Sequence, residues 1–406
     1  MINRQKYIER IKPMIDTEFI KIITGVRRSG KSFLLMMIKE LLISNSIEEE
    51  QVIYLNFEHP DNYSLQSSES LYEYLKEQIK SEKKVYLLFD EIQEVQGWQK
   101  LINGLRVAFN SDIYLTGSNA TLLSGEMATY LTGRYIEVKV LPLSLEEYLT
   151  FKGYNKHQGE RYFREFLEYG GFPSVVLQDD LQLKKDVLSG IYNSILFRDV
   201  STRAIIKEPE LLERIAIYLL DNVGQLVTTN KIANTIRSNG RKVSNNTIES
   251  YMSLLEQSYL FYKVRRYDIR GKEYLSNQAK YYVVDLGFIL SQVKKVNSNR
   301  GSRIENLVFL ELVRRGYDVF VGKYDTKEID FVAMKPEETI YIQVTEQIPE
   351  VSNRETENLL HLPTGHKKRL ITSSWDDIGM HEDIPIIHIS DFLLEMEHTK
   401  SEKSHH

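Results

Sequence analysis

The stretch TGVRRSGKSFLL (residues 24–35) decides the fold because it contains the pattern G-x-x-x-x-G-K-S. A triphosphate needs several backbone N–H groups directed at one small volume, and glycines at Gly25 and Gly30 let the chain wrap that tightly. Lys31 would then reach the β- and γ-phosphates, and the Ser32 hydroxyl would hold Mg²⁺. The pattern therefore predicts an ATP and Mg²⁺ site with the binding residues Gly25, Arg28, Ser29, Gly30, Lys31, Ser32 and Phe33.

The segments on either side of this loop fit a phosphate-binding loop. An apolar run over residues 19–23 precedes it and indicates a buried strand, and a second run over residues 33–38 indicates a helix. The N-terminus of that helix would face the phosphates. A glycine-rich loop without function is the alternative, and the strand and helix at its two ends argue against it.

The first part of the chain alternates apolar, β-rich runs with helical patterns. This alternation predicts an α/β fold with a five-stranded parallel sheet that is covered on both faces. The predicted strands are residues 19–24, 51–57, 85–90, 112–116 and 135–141.

The third predicted strand ends in VYLLFDEIQ, which delivers Asp90 and Glu91 to its carboxyl end. Ligand sites in parallel sheets lie at that edge. We expect Asp90 to bind Mg²⁺, usually through water, and Glu91 to act as the catalytic carboxylate that polarises the attacking water. The alternative is that the acidic pair only marks a turn.

The fourth predicted strand ends in YLTGSNA, where Ser118 or Asn119 is expected to contact the attacking water. Arg134 lies just before the fifth strand. An arginine there could reach the γ-phosphate of a neighbouring subunit and stabilise charge in the transition state. The alternative is an arginine that interacts with a helix C-terminus.

The order of these motifs, with GRY and LPLSLEEYL after them, resembles AAA+ ATPases. More narrowly, it resembles a large prokaryotic family of predicted AAA+ ATPases whose C-terminal half is uncharacterised. The later segments GGFP (170–173), LFRDV (196–200) and YYVVDLG (281–287) fit this family as well. The resemblance implies ATP binding. It also implies that Gly171 and Pro173 line the base or ribose from a helical lid, the alternative being a loop between two lid helices.

The middle of the chain predicts a winged helix. Helical patterns over residues 211–221, 229–236 and 245–256 are followed by β-like stretches over residues 260–267 and 273–275. Thr228 or Thr229 would cap the second helix, and Ser244 the third. The third helix would face a major groove with Asn245, Asn246 and Thr247, while Lys242, Arg265, Arg266, Arg270 and Lys272 would contact phosphates. The alternative is a module that contacts protein.

The last part of the chain resembles the core of PD-(D/E)xK nucleases. A helix with Glu305 precedes a strand with Asp330, as that core requires. Gln343 and Thr345, however, stand where the family has an acid and a lysine, and Gln is a poor ligand for a hard cation. Strand alternation places Glu346 on the opposite side. We therefore expect a nuclease-like fold that has lost catalytic activity.

Composition limits the remaining possibilities. The chain has 406 residues, no cysteine and a net charge of −5. The lack of cysteine excludes disulfides and thiolate metal sites and suits a reducing, cytoplasmic location. No apolar run is long enough for a membrane span. Residues 201–280 carry 13 Lys/Arg against 8 Asp/Glu, which indicates either an anionic partner or a solvated basic face.

Together these patterns predict four domains. They are an ATPase core (1–150), a helical lid (151–208), a winged helix (209–298) and an inactive nuclease-like domain (299–398). The expected function is ATP binding and hydrolysis, with the last two domains as recognition modules for double-stranded DNA or for protein partners, in a chain that could oligomerise. The alternatives are a DNA-binding regulator with ATP as a structural ligand, and a nuclease switched by ATP.

Overall fold

The computed structural model describes residues 4–80, 82–118, 133–200, 206–238, 240, 242–293, 300–349, 354–363 and 365–396. The chain divides into two compact units. The first contains Met1–Val140 with Gln257–Tyr259, and the second contains Leu141–Glu256 with Leu260–His406. Within the described ranges, no helix is both long and apolar enough to cross a membrane.

The first unit contains a five-stranded sheet in which every neighbouring pair is parallel. Its strands are β1 (Ile20–Thr24), β2 (Val52–Asn56), β3 (Val85–Asp90), β4 (Ser111–Gly117) and β5 (Tyr135–Lys139). The spatial order is β2-β3-β4-β1-β5. The predicted parallel sheet is therefore confirmed, and each strand ends within about two residues of its predicted position.

Alternating side chains of these strands form two apolar cores, one on each face of the sheet. One face packs Ile22 and Leu87 against two helices, Ser68–Gln78 and Trp98–Ala108. The opposite face packs Ile23 and Leu88 against the helices Gln5–Ile11 and Lys31–Ser44. Neighbouring residues of one strand thus serve opposite faces, as the two-residue repeat of a strand requires.

The second unit begins with a group of helices and ends in a mixed sheet. Its α-helices are Leu145–Lys152, Gly159–Tyr169, Pro173–Val176, Leu181–Asn193, Pro209–Asp221, Thr229–Ser238, Asn245–Gln257, Gly287–Gln292, Arg300–Arg314, Arg354–Leu360 and Ile389–Leu394, and Ser194–Asp199 is a π-helix. The three helices predicted for the middle of the chain are present. Thr228 caps the second, since its Oγ1 accepts from the Lys231 N–H at 3.1 Å.

The mixed sheet of the second unit has nine strands. They are β6 (Leu226–Val227), β7 (Phe261–Asp268), β8 (Glu273–Val283), β9 (Asp318–Tyr324), β10 (Lys327–Lys335), β11 (Glu338–Thr345), β12 (Lys367–Thr372), β13 (Gly379–His381) and β14 (Ile384–His388). Their spatial order is β13-β14-β12-β11-β10-β9-β7-β8-β6. β7 pairs antiparallel with β8 and parallel with β9. The domain boundary predicted between residues 298 and 299 therefore falls within one hydrogen-bonded sheet.

β8 is longer than the sequence pattern indicates. The predicted stretch ended at Leu275, whereas the strand continues to Val283. The pairing with β7 shifts between Arg265 and Arg266, so that Arg265 faces Ala279 and Arg266 faces Leu275. This bulge hides the continuity of the strand in the sequence, because the alternation of side chains is interrupted at that point.

A buried carboxylate joins two distant motifs of the second unit. Asp285, which follows β8, accepts hydrogen bonds from the Gly171 N–H at 2.7 Å and from the Gly287 N–H at 2.9 Å. Burial raises the pKa of Asp285 to about 7, although these N–H groups and that of Phe172 act in the opposite direction. A Cβ on Gly171 would overlap the carbonyl oxygen of Leu143. The GGFP turn therefore requires glycine here and is held by the DLG segment.

This contact predicts that Gly171→Ala destabilises the second unit. The added methyl group forces the backbone away from Leu143, at a cost of about 1–3 kcal/mol. Gly190→Ala is the matched control, because Gly190 lies in the helix Leu181–Asn193 and a Cβ there meets nothing within 4 Å. Thermal unfolding followed by circular dichroism should show a lower midpoint for Gly171→Ala only. Equal midpoints for the two variants would contradict the close packing of this turn.

Candidate functional site

The parallel register of the first sheet brings three strand ends to one edge. β1 ends at Thr24, β3 at Asp90 and β4 at Gly117. Phe89 is paired with Leu115. The residues that follow them, Asp90 and Thr116, are therefore also neighbours. The loop after β1 and the acidic pair after β3 therefore lie at the same carboxyl edge, where ligands of parallel sheets bind.

The loop between β1 and the helix Lys31–Ser44 has the backbone that its glycines predict. Gly25 has φ 139° and Gly30 has φ 100°, both in the region that favours glycine. A Cβ on Gly25 would overlap the carbonyl oxygen of Val140. The helix begins immediately after Gly30, so the N–H groups of its first turn are directed towards the loop.

Two buried side chains of this loop are suited to a phosphate ligand. Lys31 is only 4% exposed, and its Nζ donates to the Val26 carbonyl at 3.2 Å and lies 3.9 Å from Glu91 Oε1. The Ser29 hydroxyl is buried and has no hydrogen-bond partner within the described part of the chain. Among the described residues, the Lys31 ammonium contacts a carbonyl and a distant carboxylate, so it can turn to a stronger anion. The Ser29 hydroxyl, with no partner among those residues, can donate or accept a further hydrogen bond.

Asp90 is held by hydroxyl groups from three directions. Its Oδ1 accepts from Thr116 and its Oδ2 from Tyr54 at 3.1 Å, and Ser32 also donates to this carboxylate. Burial raises the pKa of Asp90 above its usual range, against the hydrogen bonds from Thr116 and Ser32, which lower it. A nearby cation would favour the ionised form further. The carboxylate is thus positioned beside the hydroxyl of the loop serine.

Glu91 has a constrained backbone and a restrained side chain. Its φ of 56° is left-handed, and its N–H donates to Thr116 Oγ1 at 2.9 Å. Its Oε2 accepts from Gln93 Nε2 at 2.5 Å. A non-glycine residue in this conformation is held there by its surroundings, and such residues cluster at functional sites. The Glu91 carboxylate thus lies at the carboxyl edge of the sheet on the side of Lys31.

Four residues of this site were missed in the sequence: Thr116, Tyr54, Gln93 and Arg4. Thr116 could have been found by aligning the ends of β3 and β4, because the paired strands bring it beside Asp90. The Arg4 guanidinium donates to the Ser29 carbonyl at 2.9 Å and is only 2% exposed. It belongs to no motif, so no signal in the sequence identifies it.

The other predicted residues of the nucleotide site have different surroundings. Ser118 is buried directly after β4, whereas Asn119 lies outside the described residues. Arg134 is exposed just before β5, and Phe33 is 64% exposed. Gly171 and Pro173 belong to the second unit, where Gly171 contacts Asp285 as described above. Their contribution to nucleotide binding stays a prediction.

The basic residues of the middle region divide into paired and outward-facing groups. Arg270 forms an ion pair with Asp325 at 2.9 Å, and Arg266 donates to Gln278 at 3.0 Å. Lys263 and Arg265 are exposed and line a groove. This groove lies between the helix Asn245–Gln257 and the β7–β8 hairpin, and has a volume of about 470 Å³.

The start of the third middle helix is also partly engaged within the protein. Arg237 donates to Asn245 Oδ1 at 3.1 Å, and the other side of this amide donates to Asn230 at 2.5 Å. Thr247 exchanges a hydrogen bond with Ser244 at 2.8 Å. Asn246 is the most outward-facing of the three predicted groove residues, since it alone is exposed.

The residues compared with a nuclease core lie on the predicted elements. Glu305 is in the helix Arg300–Arg314, Asp330 is in β10, and Gln343 and Thr345 are in β11. Glu346 follows the last residue of β11 and lines the same cavity as Asp330, as residues 343–345 do, so the side predicted for it stays a prediction. β11 ends at Thr345, so strand alternation no longer sets its direction. Among the described residues, no group of three or more His, Cys, Asp or Glu is arranged to hold a metal ion.

Comparisons with known proteins agree with this geometry. Residues 17–149 match an AAA domain, and residues 160–299 match a domain of unknown function. An uncharacterized protein of Haemophilus influenzae is 46% identical over 97% of this chain and 99% of its own length. An uncharacterized protein of Methanocaldococcus jannaschii is 35% identical over 83% of this chain and 77% of its own length.

A solved structure with a similar fold is the Walker-type ATPase of Pyrococcus abyssi. It is 15% identical, with a TM-score of 0.47, over 72% of this chain and 96% of its own. The loop, the acidic pair and the five-stranded sheet lie within the AAA match, and the two relatives extend over most of the chain. The chain therefore belongs to the family of these proteins from Haemophilus influenzae and Methanocaldococcus jannaschii, and residues 17–149 are its AAA domain.

Proposed function

We propose that this protein binds ATP with Mg²⁺ and hydrolyses it at the carboxyl edge of the first sheet. The observation that carries the proposal is the convergence there of four groups: Lys31, Ser32, Asp90 and Glu91. The chemistry of phosphoryl transfer needs a cation for the phosphates, ligands for a metal and a group that orients water. The four side chains supply these in one place.

The backbone of the loop and Lys31 would bind the phosphates. The N–H groups of residues 25–30 and of the first helical turn would surround them, and the Ser29 hydroxyl would gain the hydrogen bond that it lacks within the described residues. Lys31 would exchange the Val26 carbonyl for phosphate oxygens. The loop therefore binds the anion largely through groups that are already in position.

The donor set beside the loop fits Mg²⁺. A hydroxyl and a carboxylate are ligands that this cation prefers, and the Ser32 hydroxyl is already hydrogen-bonded to Asp90. Ser32 would hold the ion directly and Asp90 through water. When bound, Mg²⁺ would neutralise charge on the β- and γ-phosphates.

Glu91 would orient the attacking water, and Thr116 would position the acidic pair. The Thr116 hydroxyl contacts both the Asp90 carboxylate and the Glu91 N–H, so it acts through these residues. Gln93 holds the Glu91 carboxylate through Oε2, and the remaining acceptor sites of the carboxylate would accept a hydrogen bond from water. We further propose that Ser118 or Asn119 contacts the water and that Arg134 reaches a neighbouring subunit's nucleotide, which requires an oligomer.

A second proposed function is binding of double-stranded DNA by the groove between the helix Asn245–Gln257 and the β7–β8 hairpin. The observation that favours it is the pair of exposed cations, Lys263 and Arg265, on one wall of this groove. Cations that release counter-ions from phosphates are the main source of affinity for nucleic acid. A surface for a protein partner is the alternative, and the protein would then show no salt-dependent affinity for DNA.

The first prediction from these proposals is that Lys31→Ala weakens ATP binding about tenfold to a hundredfold. A hydrogen bond to a charged group contributes about 1.5–3 kcal/mol, and the loop loses its mobile cation. Titration calorimetry with a slowly hydrolysed ATP analogue and Mg²⁺ measures the change. Lys39→Ala, on the same helix and paired with Glu49 at the surface, should bind normally. Normal affinity in Lys31→Ala would refute the assignment of the site.

The second prediction is that Glu91→Gln binds ATP normally but hydrolyses it at least about a hundredfold more slowly. Glutamine keeps the size of the side chain but cannot accept a proton or polarise water as a carboxylate does. Phosphate release from the purified protein, with and without DNA, measures turnover. Turnover at the parent rate would exclude Glu91 as the catalytic carboxylate. A parent protein that binds ATP without releasing phosphate would favour the regulator in which ATP is structural.

The third prediction concerns the groove. Lys263→Glu combined with Arg265→Glu should weaken binding to duplex DNA and reduce the slope of log affinity against log salt by about two units, one for each lost phosphate contact. Fluorescence anisotropy at several salt concentrations measures both. Lys76→Glu combined with Lys83→Glu changes the net charge equally on the exposed surface of the first unit and is the control. The same loss in both variants would place DNA binding elsewhere.

A further inference from the structure

A buried lysine lies at the centre of the carboxylates that resemble a nuclease core. Lys280 belongs to β8, and its side chain is 5% exposed. Its Nζ lies 2.9 Å from Glu305 Oε1, 3.1 Å from Glu328 Oε1 and 3.3 Å from Asp330 Oδ1. All four residues line one polar cavity of about 580 Å³ in the second unit. The lysine reaches this cavity from the hairpin, and the acids reach it from a helix and from β10.

The number of contacts matches the chemistry of an ammonium group. A lysine Nζ has three N–H donors and no acceptor, and here it faces three carboxylates. Two of the acids have further donors, since Tyr282 donates to the same Glu305 Oε1 at 2.5 Å and the Val344 N–H donates to Asp330 Oδ2 at 2.9 Å. Lys280 Nζ therefore has a carboxylate within reach for each of its three N–H donors.

The pKa values of the two buried acids are raised. Burial raises the pKa of Glu305 to about 7, although Lys280 acts in the opposite direction. Burial likewise raises the pKa of Asp330. For Lys280, burial lowers the pKa, but the three carboxylates outweigh it and hold the group charged. The ammonium of Lys280 is thus held in its charged form beside the three acids.

We propose that the ammonium of Lys280 is the permanent cation of this cluster and stands where a nuclease core would hold a divalent metal. The residues present do not fit the metal. A hard cation needs carboxylate oxygens at about 2.0–2.6 Å, and the space between these three acids is taken by Nζ. β11 supplies Gln343 and Thr345 instead of an acid and a lysine, so no second carboxylate comes from that strand. Lys280 is accordingly a positioning residue that fixes β8 to the helix Arg300–Arg314 and to β10.

This inference is independent of ATP hydrolysis by the first unit, and it predicts a change in metal binding when the ammonium is removed. Lys280→Met keeps most of the side-chain volume but leaves the buried Glu305 and Asp330 and the partly exposed Glu328 without their cation. We expect this variant to bind about one Mn²⁺ per chain more than the parent, because Mn²⁺ accepts carboxylate ligands. The loss of the free Mn²⁺ resonance signal in a titration of the full chain without nucleotide measures the stoichiometry.

Three further variants complete the experiment. Lys280→Arg retains the charge and should gain no Mn²⁺. Adding Asp330→Asn to Lys280→Met should abolish the extra ion. Asp330→Asn alone should bind as many ions as the parent, and this comparison remains decisive where Lys280→Met fails to fold. Any ion at the first unit is common to all variants. The proposal is overturned if Lys280→Met folds and gains no ion, or if Asp330→Asn alone loses one.

Nucleic-acid cleavage is the second readout. The parent protein should not cleave single- or double-stranded DNA with Mg²⁺ or Mn²⁺, in the presence or absence of ATP. The rival assignment is that Lys280 supplies the amine missing at Thr345 and helps to place an attacking water beside a metal. Cleavage by the parent that disappears in both Asp330→Ala and Lys280→Met would establish that assignment, overturn the proposal and make the protein an ATP-linked nuclease.

Discussion

The pairing of β3 with β4 is the constraint on which the candidate ATP site depends. Their register sets Thr116 beside Asp90, and one hydroxyl then donates to the carboxylate of Asp90 and accepts from the N–H of Glu91. Asp90, the last residue of β3, and Glu91, which follows it, are therefore oriented by a residue that the strand pairing holds in place. Groups held on strands in this way keep their geometry more accurately than groups on flexible segments.

The loop over residues 25–30 follows β1, which lies on the other side of β4 from β3. β1 is paired with β4 on the side opposite β3, so Thr116 lies between the loop and the acids. The N–H of Glu91, whose backbone is left-handed, has a fixed acceptor in the Thr116 hydroxyl. A change in the β3–β4 register by one residue would turn the Thr116 side chain to the other face of the sheet and remove this acceptor.

The sequence predicted the parts of the structure that depend on local spacing. The glycines and lysine of the loop, the strand that ends in Asp90 and Glu91, and the order of the helices in the middle region follow from residues close together in the chain. Thr116, Tyr54 and Gln93 were missed because their contacts depend on how strands pair and on a side chain's orientation. Lys280 was missed because its partners Glu305 and Asp330 are 25 and 50 residues away, beyond a predicted domain boundary.

The bulge in β8 illustrates the same limit on a smaller scale. The pairing of β7 with β8 is interrupted between Arg265 and Arg266, and this made β8 look like a short strand. The continuation of β8 beyond the interruption carries Lys280. Glu346 gives the opposite case, in which alternation was extended past the last residue of β11. In both places the two-residue period holds only while the hydrogen-bonded ladder continues, and the sequence does not mark where the ladder stops.

The parallel contact between β7 and β9 has a practical consequence for anyone who divides this protein into fragments. A fragment that stops before residue 299 would retain β7 but lose the strand that covers Arg266–Asp268, and the complementary fragment would expose the matching edge of β9. Uncovered strand edges pair readily with other chains. Each half would therefore tend to self-associate, and its apparent binding properties would report on aggregates rather than on the folded module.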